Sequence, residues 1–168
     1  MSIQGFEEWL KTPAGRYVLD WEQVTHDQLV ADIFGFNAVQ LSLPGHDFLR
    51  ANRMPLRFRC DDGRYDGVSE VRSDLHYLPF AGNSVDLVVM PHTLEFDANP
   101  HQVLREVERV LVPEGHVIVT GFNPFSLWGA RRKLSRREAL PPWRGAYLSV
   151  PRLKDWVSLL GFEMQAGA

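Results

Sequence analysis

Residues 73–121, SDLHYLPFAGNSVDLVVMPHTLEFDANPHQVLREVERVLVPEGHVIVTG, decide the architecture. Two runs in this stretch, VDLVVM at 85–90 and HVIVT at 116–120, are almost continuously apolar, the pattern of strands covered on both faces. Between them, Asn99 as N-cap and Pro100 at the first helical position announce a helix, where the missing proline N–H costs nothing. Val103, Leu104, Val107, Val110 and Leu111 then recur on one helical face, and Pro113-Glu114-Gly115 turns the chain into the next strand. Strand, helix and strand make a right-handed crossover, so the two strands run parallel. The fold class this predicts is α/β, a doubly wound, mostly parallel sheet.

Working outward, 168 residues with 45% hydrophobic content and five tryptophans suit one substantial core. The expected organisation is an N-terminal helical cap over residues 1–35 on an α/β core over 36–168, forming one compact domain. A net charge of −3 gives no long-range pull toward nucleic acid or anionic lipid. Cys60 is the one cysteine, which excludes an internal disulfide framework and a cysteine zinc site, and no metal site is expected. The N-terminus lacks a basic flank followed by an apolar core, and no apolar run approaches the ~20 residues of a membrane span. The expectation is a soluble, cytoplasmic protein.

In chain order, residues 3–10 suit a short helix with Ile3, Phe6, Trp9 and Leu10 on one side. Thr12-Pro13 opens a second helix reaching about Phe34 and closed by Gly35, with Tyr17, Val18, Trp21, Val24, Leu29, Ile33 and Phe34 on its apolar face. These helices are expected to cap the sheet, a lid over a ligand being the alternative. NAVQLSL at 37–43 reads as the first strand, followed by a short helical segment over 45–52 and a second strand, LRFRC, at 56–60. Asp61 and Asp62 then suit either a carboxylate that accepts from ribose hydroxyls or a plain Asp-Asp-Gly turn. GVSEVRS at 67–73 follows too soon for a helical crossover. Either the second and third strands form an antiparallel hairpin, or one of them joins the sheet in an unusual way.

The end of the chain offers fewer constraints. Asn123-Pro124 suits a helix cap. Arg131, Arg132, Lys133, Arg136 and Arg137 suit a solvated helix face, or a grip on an acidic headgroup, phosphate or tRNA-like substrate. The aromatic stretch 143–147 is expected on a substrate side, Ser149 as the cap of a helix over 151–160 ended by Gly161, and residues 162–168 as a further strand.

LPF at 78–80, a polar loop, a strand with Asp86, a loop bearing His92 and Leu94-Glu95, then LREVERVL at 104–111 and Pro-Glu-Gly at 113–115 together resemble class I S-adenosylmethionine-dependent methyltransferases of the type 11 branch. The match is close from Asp74 to Gly121. The resemblance implies a Rossmann-like methyltransferase fold, S-adenosylmethionine as cofactor and a small-molecule acceptor. It places Ser42, Pro44, Gly45, Asp61, Asp74, Leu75, Pro91 and His92 around the cofactor, with Asp74 facing the adenine amino group or capping the turn after it. His92 and Glu95 are the catalytic candidates, each with a structural hydrogen-bonding role as the plainer alternative. Phe96 stands where such enzymes often carry a second histidine.

Two departures lie on the cofactor side. Ser42, Leu43 and Pro44 replace a glycine-rich loop, which predicts a changed loop shape, and the helix between the second and third strands is missing. Family members also add a reversed strand beyond 162–168. Its absence implies an exposed sheet edge, a truncated chain or a partner, and a homodimer through that edge is one outcome. The alternative function is a non-catalytic scaffold that binds a protein or another ligand.

Overall fold

The computed structural model describes residues 4–64, 68–123 and 148–164. Its elements are helices α1 (Gln4–Leu10) and α2 (Pro13–Ala31), strands β1 (Asn37–Leu41), β2 (Leu56–Asp61), β3 (Val71–Arg72) and β4 (Val85–Pro91), helix α3 (Pro100–Val110), strand β5 (Leu111–Thr120) and helix α4 (Val150–Leu159). The strands form one sheet in the order β3-β2-β1-β4-β5, and every neighbouring pair is parallel. Strand order reverses between β1 and β4, so the carboxyl ends of these two strands frame the crevice where such sheets bind ligands.

Alternation along the central strands divides the core in two. Val39 and Leu41 of β1 with Val88 and Met90 of β4 pack against Val103, Leu104, Val107 and Val110 of α3 and Val157 of α4. Ala38 of β1 with Leu87 and Val89 of β4 point the other way, against Phe6 and Leu10 of α1 and Val30 of α2. The crossover helix forms where its apolar spacing puts it, although the Asn99 side chain makes no capping bond. Asp97 acts there instead, accepting from the Asn99 N–H at 2.7 Å. α3 passes straight into β5, which begins at Leu111, earlier than the expected 116–120, with a register irregularity opposite Val85 and Leu87.

Several expectations need correction. Residues 45–52 are turns, since Gln40 claims the local carbonyls that a helix would use. β2 and β3 are parallel, which removes the antiparallel hairpin; β3 is only two residues long, and no helix occurs among the described residues joining them. α2 is rotated relative to its expected apolar face. Tyr17, Trp21, Val24, Leu29 and Phe34 are exposed, whereas Glu22, His26 and Val30 turn inward. Residues 162–164 are not strand, and 165–168 lie outside the described residues. The cap at Asn123-Pro124, the basic cluster at 131–137 and the aromatic stretch at 143–147 reach into residues 124–147, which also lie outside them.

Two helix starts form as the sequence indicates. Thr12 Oγ1 accepts from the Gly15 N–H at 3.1 Å, and Ser149 Oγ accepts from the Arg152 N–H at 3.4 Å. No helix among the described residues is long and apolar enough to cross a membrane.

Candidate functional site

The loop after β1 is built by one buried side chain. Gln40 Nε2 donates to the carbonyls of Ser42, Leu43 and His46 at 3.0, 3.1 and 2.8 Å, and its Oε1 accepts from the Phe48 N–H at 2.9 Å. This grip holds Ser42 at φ 73° and Leu43 at φ 47°, the left-handed region that glycine enters freely. Each such residue costs about 1–2 kcal/mol, and the Gln40 bonds offset that cost. Ser42, Leu43 and Pro44 are buried, while Gly45 is exposed.

Beyond the carboxyl ends of β2, β3 and β4 lies an open cavity of about 380 Å³, lined by Asp62, Arg64, Asp74, His76, Asp97 and Ala98. Its size is within the range of small-ligand sites. The wall is a chain of charge. Asp74 Oδ1 accepts from the His76 N–H at 2.9 Å and lies 2.8 Å from His76 Nδ1, while His76 Nε2 lies 2.8 Å from Asp97 Oδ1. Arg64 pairs with Asp62 and stands 3.7 Å from Asp97 Oδ2. Burial lowers the His76 pKa, but the bonds and charges of Asp97 and Asp74 outweigh it and raise the ring above its ordinary value.

Asp61, at the end of β2, is fully buried. Its Oδ1 accepts from the Gly63 N–H, and its Oδ2 has no hydrogen-bond partner among the described residues. A buried carboxylate oxygen without a donor is costly, and a ligand hydroxyl would satisfy it.

At the end of β4, Pro91 is paired with Thr120 of β5, and His92 follows at φ 51°. The His92 ring is sealed from solvent, with Nε2 2.9 Å from Glu22 Oε1 and Nδ1 2.6 Å from Glu95 Oε2. Burial works against the imidazolium, but the charges of Glu22 and Glu95 prevail and raise its pKa to about 10. The ring is therefore a cation donating to two carboxylates. Glu95 Oε1 also accepts from the Phe122 N–H at 2.5 Å. Phe6 and Phe122 flank the ring, with centroids 4.8 and 4.7 Å away. One turn along α2, His26 donates through Nδ1 to the Glu22 carbonyl at 2.8 Å, and its Nε2 takes the Thr120 hydroxyl at 3.0 Å. Burial lowers the His26 pKa, so this second ring is neutral.

The structure thus distributes the sequence-derived candidates. Asp74 lines the cavity, whereas Asp61, at the end of β2, is buried next to the lining residue Asp62 in sequence and does not itself line it. Leu75 is a core residue, and Pro91 is buried in the sheet. Gly45 lines a separate space of about 320 Å³ beneath the N-terminal helices, with Arg16 and His46 among its neighbours. His92 and Glu95 touch each other and do not line the cavity. Sequence reasoning misses Gln40, Glu22 and His76: Gln40 and Glu22 are lone polar residues whose partners are backbone groups or distant, and His76, although two residues from Asp74, meets Asp97 only in the fold.

Residues 39–119 match a family model described as a methyltransferase domain. Over that stretch, just under half of its length, the chain resembles class I methyltransferases of the type 11 branch. YafS of Escherichia coli (strain K12) is 39% identical over 95 residues, 56% of this chain and 40% of that protein. The demethylmenaquinone methyltransferase of Chlamydia pneumoniae is 31% identical over 101 residues, 58% of this chain and 42% of that protein. The chain therefore spans about two fifths of the length of these curated relatives. The crystal structure of an S-adenosylmethionine-dependent methyltransferase from Thermotoga maritima matches 96% of this chain and 82% of that one, with a TM-score of 0.72 at 20% identity, a likeness of fold.

The cofactor this methyltransferase family and fold imply is S-adenosylmethionine. The residues present fit it: Asp61 Oδ2, without a partner among the described residues, suits a ribose hydroxyl, and the carboxylates of Asp62, Asp74 and Asp97, already paired with Arg64 and His76, keep acceptor capacity for an amino-bearing base. When bound, the cofactor supplies a methyl group on an electrophilic sulfonium. The chain's own part would be to bind and orient, and the β4–α3 loop and the Gln40-held loop are suited to that.

Proposed function

We propose that this chain binds S-adenosylmethionine beyond the ends of β2, β3 and β4 and transfers its methyl group to a small-molecule acceptor. The observation that carries the proposal is the buried Asp61 Oδ2, without a hydrogen-bond partner among the described residues, one residue from a cavity lined by Asp62, Asp74 and Asp97 together with Arg64 and His76. In this proposal Asp61 takes the ribose and Asp74 the adenine amino group. Ser42, Pro44, Gly45, Leu75 and Pro91 shape the backbone around the ligand. His92 and Glu95 hold the loop behind it; general-base work by His92 requires one of its carboxylate bonds to open first. The name of the Chlamydia pneumoniae relative supports an organic small-molecule acceptor. A homodimer through β5 belongs to the same proposal, since among the described residues β5 pairs only with β4.

A second reading, a scaffold that no longer transfers methyl groups, draws support from the crevice between β1 and β4. There the Thr93 hydroxyl donates to the Leu41 carbonyl at 2.9 Å, and Ser42, Leu43 and Pro44 are buried. Calorimetric titration with S-adenosylmethionine and with its demethylated product separates the two. Saturation near one equivalent, weakened at least tenfold by Asp61→Asn, supports the transferase. No heat at millimolar ligand rejects it in favour of the scaffold.

A further inference from the structure

Glu22 sits mid-way along α2 and is 5% exposed, on a helix whose neighbouring large apolar residues face solvent. A carboxylate turned inward there has to be compensated, and His92 does so at Oε1 from seventy residues away, while Oε2 has no hydrogen-bond partner among the described residues. His92 also holds Glu95, and Glu95 holds the Phe122 N–H, so the start of the β4–α3 loop is tied to α2 and to the chain leaving β5. The other end of this loop is the cavity wall. Asp97 is buried, and its Oδ1 meets His76 Nε2 and the Asn99 N–H at 2.8 and 2.7 Å. Between the two ends, Thr93 and Glu95 are buried as well, so little slack exists for one end to move alone.

We propose that Glu22 is a positioning residue of the methyl-donor pocket: by holding His92 it fixes the path of residues 92–98, and through that path it places the Asp97 carboxylate at the cavity wall. Two features make His92 sensitive to its partner. Its φ of 51° is a left-handed conformation that a residue with a Cβ keeps only where the surroundings over-determine it. Its sealed ring also lies among apolar neighbours such as Phe6, so loss of the Glu22 carboxylate charge at Nε2 is not made good by solvent. The N-terminal helices are accordingly a fixed half of the site. Only the identity of the ligand rests on the methyl-transfer proposal; the loop geometry stands apart from it.

The test compares Glu22→Gln with Asp27→Asn, which breaks the surface pair between α2 and Arg50 and serves as the control for simple loosening of the helix. Three quantities are read: hydrogen exchange of the 93–98 amides, the titration of the His92 ring by nitrogen NMR, and the S-adenosylmethionine dissociation constant by calorimetry. Glu22→Gln is expected to speed exchange at least tenfold, to lower the ring's midpoint by a unit or more, and to weaken cofactor binding at least tenfold. Asp27→Asn should leave all three within twofold or a few tenths of a unit. Unchanged exchange in a folded Glu22→Gln overturns the proposal, and so does faster exchange with cofactor affinity kept within twofold. If Glu22→Gln does not fold, Glu22→Asp keeps the charge but shortens the reach, and the same outcomes apply. Should the unaltered chain bind no S-adenosylmethionine, the methyl-transfer proposal falls, and exchange alone then upholds or overturns the role of Glu22 in fixing the loop.

Discussion

Gln40 and His92 each hold a loop that residue patterns alone would leave free. Replacing Gln40 with Leu leaves three carbonyls and one N–H of the 42–48 loop without their partner. Each buried group so abandoned costs about 1–3 kcal/mol, and partial relaxation brings the expected loss to about 2–4 kcal/mol, read as a lowered urea midpoint. His92 sets a pH dependence of definite sign. The ring's folded pKa is raised to about 10 from an ordinary value near 6.5, so its contribution is complete below about pH 6.5 and is lost as pH rises through 10. His26 works oppositely: its lowered pKa makes stability fall as pH drops below its ordinary value. Urea midpoints should therefore fall from pH 7 toward pH 9.5; a midpoint that is flat or rising there would show the ring to be neutral. In the sequence, the loss of glycine at 42–44 was plain, but its remedy was not. Gln40 reads as an ordinary polar residue in a strand, and nothing local signals that its amide folds forward over the next loop.

At the scale of elements, α3 and α2 make an instructive pair. In α3 the apolar positions are the buried positions, because Val103, Leu104, Val107 and Val110 occupy one face and charged residues the other. In α2 both faces contain apolar residues, and the buried face was chosen by polar contacts: Glu22 and His26, four residues apart, meet partners after β4 and at the end of β5. Trp21, one position from Glu22, is consequently rotated outward and is 56% exposed. Trp21→Ser is expected to change stability by no more than about 0.5 kcal/mol, as for other surface substitutions, whereas a buried tryptophan would lose about 3–5 kcal/mol; thermal unfolding decides. The tight turn between α1 and α2 explains a glycine that looked incidental. A Cβ on Gly15 would lie 2.1 Å from the Trp9 carbonyl oxygen, so Gly15→Ala should separate the two helices at a cost of about 1–3 kcal/mol, visible as a lower melting temperature.

For the whole molecule, the parallel sheet was legible because one crossover fixes the direction of two buried strands, and the remaining strands pair beside them in register. The β2–β3 region was half legible: the short connection between Asp61 and Val71 ruled out a crossover helix, yet two residues of parallel pairing suffice to seat β3. The candidate site followed the same division. Carboxylates ending strands could be found by position, but the links among Glu22, His92 and Glu95 or among Asp74, His76 and Asp97 exist only in three dimensions. If the native state alone takes up S-adenosylmethionine, ligand at a hundredfold excess over its dissociation constant should raise unfolding free energy by about 2.7 kcal/mol, seen as a higher urea midpoint.

The seventy-residue separation of Glu22 and His92 bears on how the chain acquires its form. On a ribosome, α2 emerges long before the counter-ion that neutralises its inner side, so the nascent N-terminus has no reason to bury that side and every reason to keep it hydrated. Burial becomes favourable only when the fourth strand arrives, joining early and late portions of the polypeptide in a single step of high contact order. A fragment cut ahead of that strand should remain unassembled.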